Sequence, residues 1–96
     1  MGNEIFSGFV KKLEHLGDNL TFVTLHPLEA ECERVRIPIY SDLPNSILTK
    51  YVDIILYSDT KIKQEIHGSN FQLDTIINTS DAKKMIDQYK LKKFSH

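Results

Sequence analysis

Up to Ile77 the apolar residues of this chain recur with a period of two, and only the stretch Thr79-Ser80-Asp81-Ala82-Lys83-Lys84-Met85-Ile86-Asp87-Gln88-Tyr89 changes rhythm. There Ala82, Met85, Ile86 and Tyr89 fall at i, i+3, i+4 and i+7, one side of an α-helix, and the other side is charged. A helix this short is marginal in isolation, since roughly 12–15 residues are needed before propagation offsets nucleation. Its apolar stripe must lie against something, either the chain's own core or another protein.

The period-two region divides at turn residues. Ile5-Phe6-Ser7-Gly8-Phe9-Val10-Lys11-Lys12-Leu13 alternates imperfectly around Gly8, which marks a bend or bulge in a first strand. Gly17-Asp18-Asn19 is a turn, and Leu20–His26 is a second, β-branched and aromatic strand that ends at Pro27. Val35–Tyr40 forms a third strand with Val35, Ile37 and Ile39 on one face; Pro38 cannot donate to a ladder, which puts this strand at a sheet edge. Ser41–Ser46 has loop composition, and Ser46–Lys50 allows at most one helical turn. Val52–Ser58 is a strong fourth strand; Lys61–His67 and, past Gly68-Ser69-Asn70, Phe71–Ile77 supply the last pairing.

Ninety-six residues with 41% hydrophobic content support one domain with one modest core. The division expected is a β body over residues 1–78 and an amphipathic helix and tail over residues 79–96. A single cysteine, Cys32, excludes an internal disulfide, and between Glu31 and Glu33 its thiolate is disfavoured, so it reads as structural. His15, His26, His67 and His96 lack metal-ligand spacing, and no metal or cofactor is expected. No apolar run approaches the roughly 18 residues of a membrane span, and Met1-Gly2-Asn3-Glu4 does not open a signal peptide. The expectation is a soluble protein of a reducing, intracellular compartment.

The net charge of −1 gives no general attraction to nucleic acid. Residues 1–60 carry five basic and nine acidic side chains and residues 61–96 seven and four, but lysines at the end of a helix also suit its dipole and solvation. Gly-rich phosphate loops, nucleophile elbows, HExxH and paired cysteines are absent, and Asp53, Asp59 and Asp74 are scattered, so no catalytic residue is assigned and an enzyme is not expected.

Five main strands, a bending glycine in the first, a loop or short helix between the third and fourth, and a terminal helix fit an all-β fold of the five-stranded oligonucleotide/oligosaccharide-binding (OB) barrel type, with an SH3-like or Sm-like barrel as the alternative. In such a barrel Val10, Phe22, Val35, Ile37, Val52, Ile54 and Leu56 point inward. Phe9, Arg34, Arg36, Tyr51 and Tyr57 then point outward, where aromatics and cations are the groups that hold single strands. Packing or partner contact is the favoured reading of them over base stacking, and weak intrinsic affinity for single strands is expected.

Ser7-Gly8-Phe9-Val10-Lys11-Lys12-Leu13-Glu14-His15 followed by Leu20-Thr21-Phe22-Val23, together with the Ala-x-x-hydrophobic-hydrophobic-x-x-aromatic pattern at Ala82, Met85, Ile86 and Tyr89, resembles the smallest subunit of replication protein A, the heterotrimeric single-stranded-DNA-binding complex of eukaryotes. The smallest subunit of the telomeric complex built on the same plan is similar as well. The resemblance implies a nuclear, non-catalytic OB-fold subunit in DNA replication and repair, or at telomeres. Its partners would be the middle and large subunits, held through Ala82, Met85, Ile86 and Tyr89. Phe9, Arg34 and Arg36 would then be auxiliary DNA contacts, and an independent single-stranded nucleic-acid-binding module is the other reading.

Overall fold

The structure, a computed structural model, describes residues 2–17, 19–28, 31 and 33–94, and of residues 2 and 92–94 the backbone only. Cys32, His96 and the middle of the expected Gly17-Asp18-Asn19 turn lie outside the described residues. In chain order the elements are β1 (Gly2–His15), β2 (Thr21–His26), β3 (Val35–Ile39), a 3-10 turn (Asn45–Ile47), β4 (Tyr51–Ser58), β5 (Lys61–Gly68), β6 (Gln72–Asn78) and α1 (Thr79–Phe94). The strands form one antiparallel sheet in the order β3-β2-β1-β4-β5-β6. The fold is therefore mostly β with a terminal helix, as the periodicities require. It has six strands and not five, because Gly68-Ser69-Asn70 closes a tight hairpin and makes Lys61–Gly68 and Gln72–Asn78 two full strands in register from Lys61↔Asn78 to His67↔Gln72.

β1 organises the sheet. Its first half, Gly2 to Phe9, pairs with β4, and its second half, Phe9 to His15, pairs with β2, with a register shift between Val10 and Lys12. At the changeover Val10 N–H donates to the Lys50 carbonyl (2.9 Å) and the Val10 carbonyl accepts from Thr49 N–H (2.8 Å), so the bend leaves no backbone group of Val10 unmatched. Gly8 sits where β1 turns away from β4. A Cβ there would lie 2.5 Å from the His26 carbonyl oxygen, so the expected bending glycine serves close backbone approach.

Alternation sends Val10, Val23, Leu25, Ile37, Ile39, Val52, Ile54 and Ile66 into one core cluster. Leu43 and Ile47, from the loop and 3-10 turn after β3, join the same cluster. That turn starts one residue before the expected Ser46–Lys50. His15 fastens the loop from the β1 side, with Nδ1 3.1 Å from Asp42 Oδ1 and Nε2 3.0 Å from Asn45 Oδ1. Val35 and Leu56 pack against the cluster from its rim. Phe22 departs from expectation. It lies on the opposite face of β2 from Val23 and Leu25, pairs with Glu14 and Pro38, and is covered by Arg36 and Tyr89. The run Leu20-Thr21-Phe22-Val23 is apolar on both faces, so parity alone cannot orient it.

Pro38 places β3 at one edge, as expected, and β6 is the other. The sheet curls until these regions face each other, a geometry compatible with a small barrel. The seam is closed by a side chain. Gln64 on β5, 2% exposed, accepts from Tyr40 N–H (2.9 Å) and donates to the Pro38 carbonyl (2.7 Å), while Thr75 Oγ1 donates to its Oε1 (3.1 Å). A buried amide bonded through both its oxygen and its nitrogen holds β3 to β5 without a ladder. α1 follows β6 with no intervening loop. Its first residue donates a hydrogen bond to the Thr60 carbonyl (2.7 Å), Ala82 is 2% exposed, and its early turns pack against β5 and β6. Among the described residues no helix is long and apolar enough to cross a membrane.

Two substitutions test this construction. Gly8→Ala must displace backbone and is expected to destabilise by about 1–3 kcal/mol in urea unfolding, whereas Gly68→Ala, whose nearest neighbour would be a Val52 methyl at 3.4 Å, costs less. Gln64→Leu keeps the volume but leaves the Tyr40 N–H, the Pro38 carbonyl and the Thr75 hydroxyl without this partner, with an expected loss of about 3 kcal/mol; an unchanged denaturation midpoint would show that the seam is held by other contacts.

Candidate functional site

The four helix residues of the apolar stripe do not share one environment. Ala82 is consumed in the chain's own packing, and Met85, Ile86 and Tyr89 are half-buried. Leu91, on the far side of the helix, is 69% exposed. Tyr89 is seated on the sheet: its ring lies 5.2 Å from Phe22, tilted by 51°. The Arg36 guanidinium is 4.0 Å above the Phe22 ring and 5.9 Å from the Tyr89 ring, and its Nη2 donates to the Tyr89 hydroxyl (3.1 Å). Its remaining edge makes a two-point contact with Glu14, Nε to Oε1 at 3.0 Å and Nη2 to Oε2 at 3.2 Å. Between the helix residues Met85, Gln88 and Tyr89 and the β1–β2 end of the sheet lies an open hollow of about 1070 Å³, lined there by Leu16, Leu20 and Thr24.

The five outward residues weighed for nucleic-acid contact separate into four surroundings. Phe9 and Tyr51 are cross-strand neighbours and meet edge to face at 5.4 Å, 36% and 39% exposed. A pair of this kind is an open apolar platform on the outer face of β1 and β4. Arg34 is exposed just ahead of β3. Arg36 points outward as expected, but Glu14, Phe22 and Tyr89 occupy its charge and its faces, so it is not placed to hold a phosphate. Tyr57 belongs to a charged network on β4 and β5, with Lys63 Nζ 5.4 Å over its ring and the Glu65 carboxylate raising its phenol pKa.

That network was not singled out from the sequence. The β5–β6 register sets Glu65 directly opposite Asp74, and His67 stands two residues along on the same face, so one ligand atom from each lies within 4.8 Å of the others. Only the hairpin register brings them together. His67 Nε2–H donates to Glu65 Oε1 (3.1 Å) and Lys63 approaches Oε2 at 3.7 Å. These groups already neutralise the Glu65 carboxylate. Hydrogen bonds from His67 first and then Tyr57 hold its carboxyl below the usual range, and the same carboxylate pushes the Tyr57 phenol up. On the neighbouring strands Ser7 Oγ donates to Asp53 Oδ1 (2.5 Å).

Compared with protein-family models, curated proteins and solved structures, the chain matches none of them.

A carboxyl with a lowered folded-state pKa contributes stability that is present above its unfolded value and lost as the pH falls through the folded one. The melting-temperature difference between the native chain and Glu65→Gln is therefore expected to be widest near neutral pH and to close on acidification below about pH 4. A difference that stays constant between about pH 3 and pH 7 contradicts the network.

Proposed function

We propose that the chain is a non-catalytic small subunit of a replication protein A-like single-stranded-DNA-binding complex, an OB-type barrel that joins its partners through the terminal helix. The observation that carries this reading is the combination of a first strand bent and shared between β2 and β4 with a helix that leaves the last strand directly. The order β3-β2-β1-β4-β5, with a short 3-10 turn between β3 and β4, is the arrangement an OB barrel requires, and β6 extends it by one hairpin strand. Met85 and Ile86 offer the half-buried apolar contact that partner helices of the middle and large subunits would complete. The setting is nuclear. A telomere-associated complex of the same plan uses the same surface, and the choice between the two belongs to the partner.

DNA contact in this reading is slight. The Phe9–Tyr51 platform can stack a base, and it favours a second reading, an independent single-strand module, over one built on Arg36. Lys50, next to Tyr51, is exposed, and Arg34, Glu31 and Glu33 are exposed ahead of β3, so the exposed cations are offset by acids, which weakens attraction for a phosphate backbone.

Co-expression with middle and large subunits, followed by size-exclusion chromatography, separates the readings. Met85→Glu with Ile86→Glu is expected to abolish co-elution while the isolated variant keeps its β-sheet circular dichroism. Phe9→Ala with Tyr51→Ala is expected to leave co-elution intact. Co-elution that survives the helix double variant, or that depends on the platform, refutes the assembly role.

A further inference from the structure

The second half of α1 borders an open hollow. Its root is fixed by the Thr79–Thr60 hydrogen bond and by buried Ala82, but beneath Met85 and Gln88 the chain leaves the 1070 Å³ hollow instead of a packed interface. Tyr89, on the same side of the helix, is seated on the sheet. There the Phe22 ring, the Arg36 guanidinium and the tilted Tyr89 ring form a three-way cluster, closed by the Nη2–hydroxyl hydrogen bond. Arg36 is itself held flat by its two-point contact with Glu14, the residue that pairs with Phe22 across β1 and β2. The clasp thus stands on three adjacent strands and reaches the helix at Tyr89.

From this we infer that Arg36 is a positioning residue: acting through Tyr89, it sets the direction in which the terminal helix leaves the sheet and so the orientation of the Met85–Ile86 face. The inference rests on the assembly reading for its purpose and not for its geometry. A helix anchored only at its root would fray beyond it, since 16 residues with a charged far side hold weakly on their own. A clasp at the far end makes the same helix a rigid arm, ready for a partner without an ordering step. The planar guanidinium suits the arrangement, because it lies over the Phe22 ring while its Nε and Nη2 serve Glu14 and Tyr89 together; a lysine ammonium has no planar fork to make these bonds at once.

Amide hydrogen exchange of the full chain, without any partner, tests this. Arg36→Ala and Tyr89→Ala are expected to lower protection of the amides from Asp87 to Leu91 by about 10-fold or more while the amides of β1, β4 and β5 change by less than about 2-fold. Arg36→Lys is expected to behave like Arg36→Ala, and Tyr89→Phe, which keeps the ring and loses the hydroxyl, to fall between Tyr89→Ala and the native chain. Undiminished helix protection in Arg36→Ala overturns the inference. So does a loss spread equally over strands and helix, the mark of an ordinary stabilising residue, or full rescue by Arg36→Lys. Failure of the assembly reading would leave these exchange results standing, whereas failure of the clasp would leave association still dependent on Met85 and Ile86.

Discussion

Everything in this sheet depends on one strand having two neighbours on the same path. β1 cannot stay straight and satisfy both β4 and β2; it must turn, and turning brings the backbone of β1 against the His26 carbonyl. The absence of a side chain at Gly8 permits that approach, and the register shift at Lys11 absorbs the residue that the turn leaves over. From there the consequences run outward: β2 carries β3 to one edge, β4 carries β5 and β6 to the other, and the curl brings the edges within reach of the Gln64 side chain.

Polar residues then finish what the apolar core begins. Gln64 joins strands that no ladder connects, His15 ties the end of β1 to the loop after β3, and Arg36 ties the sheet to the helix. In each case a side chain with two or more directed bonds spans a gap that apolar packing, which has no direction, leaves undefined. Arg36 is the instructive one. As a cation on an outward strand position it suggested DNA; its neighbours make it a structural member, and the phosphate-facing candidates shrink to Arg34 and the lysines.

Much of the fold was legible because it depends on short-range pattern. Alternation marks the strands, Gly8 the bend, Pro38 the edge, and Ala82-Met85-Ile86-Tyr89 the helix. The misses arise where two patterns coincide or where partners are distant in the chain. Phe22 stands in a run apolar on both faces, so its direction awaits a tertiary partner. Gly68-Ser69-Asn70 reads as a break, but only pairing shows that it joins two complete strands. Glu14 with Arg36, Gln64 with Pro38, and Glu65 with Asp74 are set by register, which local composition does not encode. Of the candidate site, the stripe was visible and its division was not: nothing in the spacing tells that Ala82 is used inside the fold and Tyr89 on the sheet while Met85 stands over a hollow.

The shared strand also sets a timetable. Its second half can close a hairpin with β2 as soon as both have left the ribosome, but Gly2 through Phe9 must wait for β4, most of half the chain later. During that interval Ile5, Phe6 and Phe9 belong to a strand with one side still open, the condition in which nascent β segments find the wrong neighbour. A chain with this topology leaves that edge open until β4 has been made, and a chaperone that covers extended apolar segments would act on it in that interval.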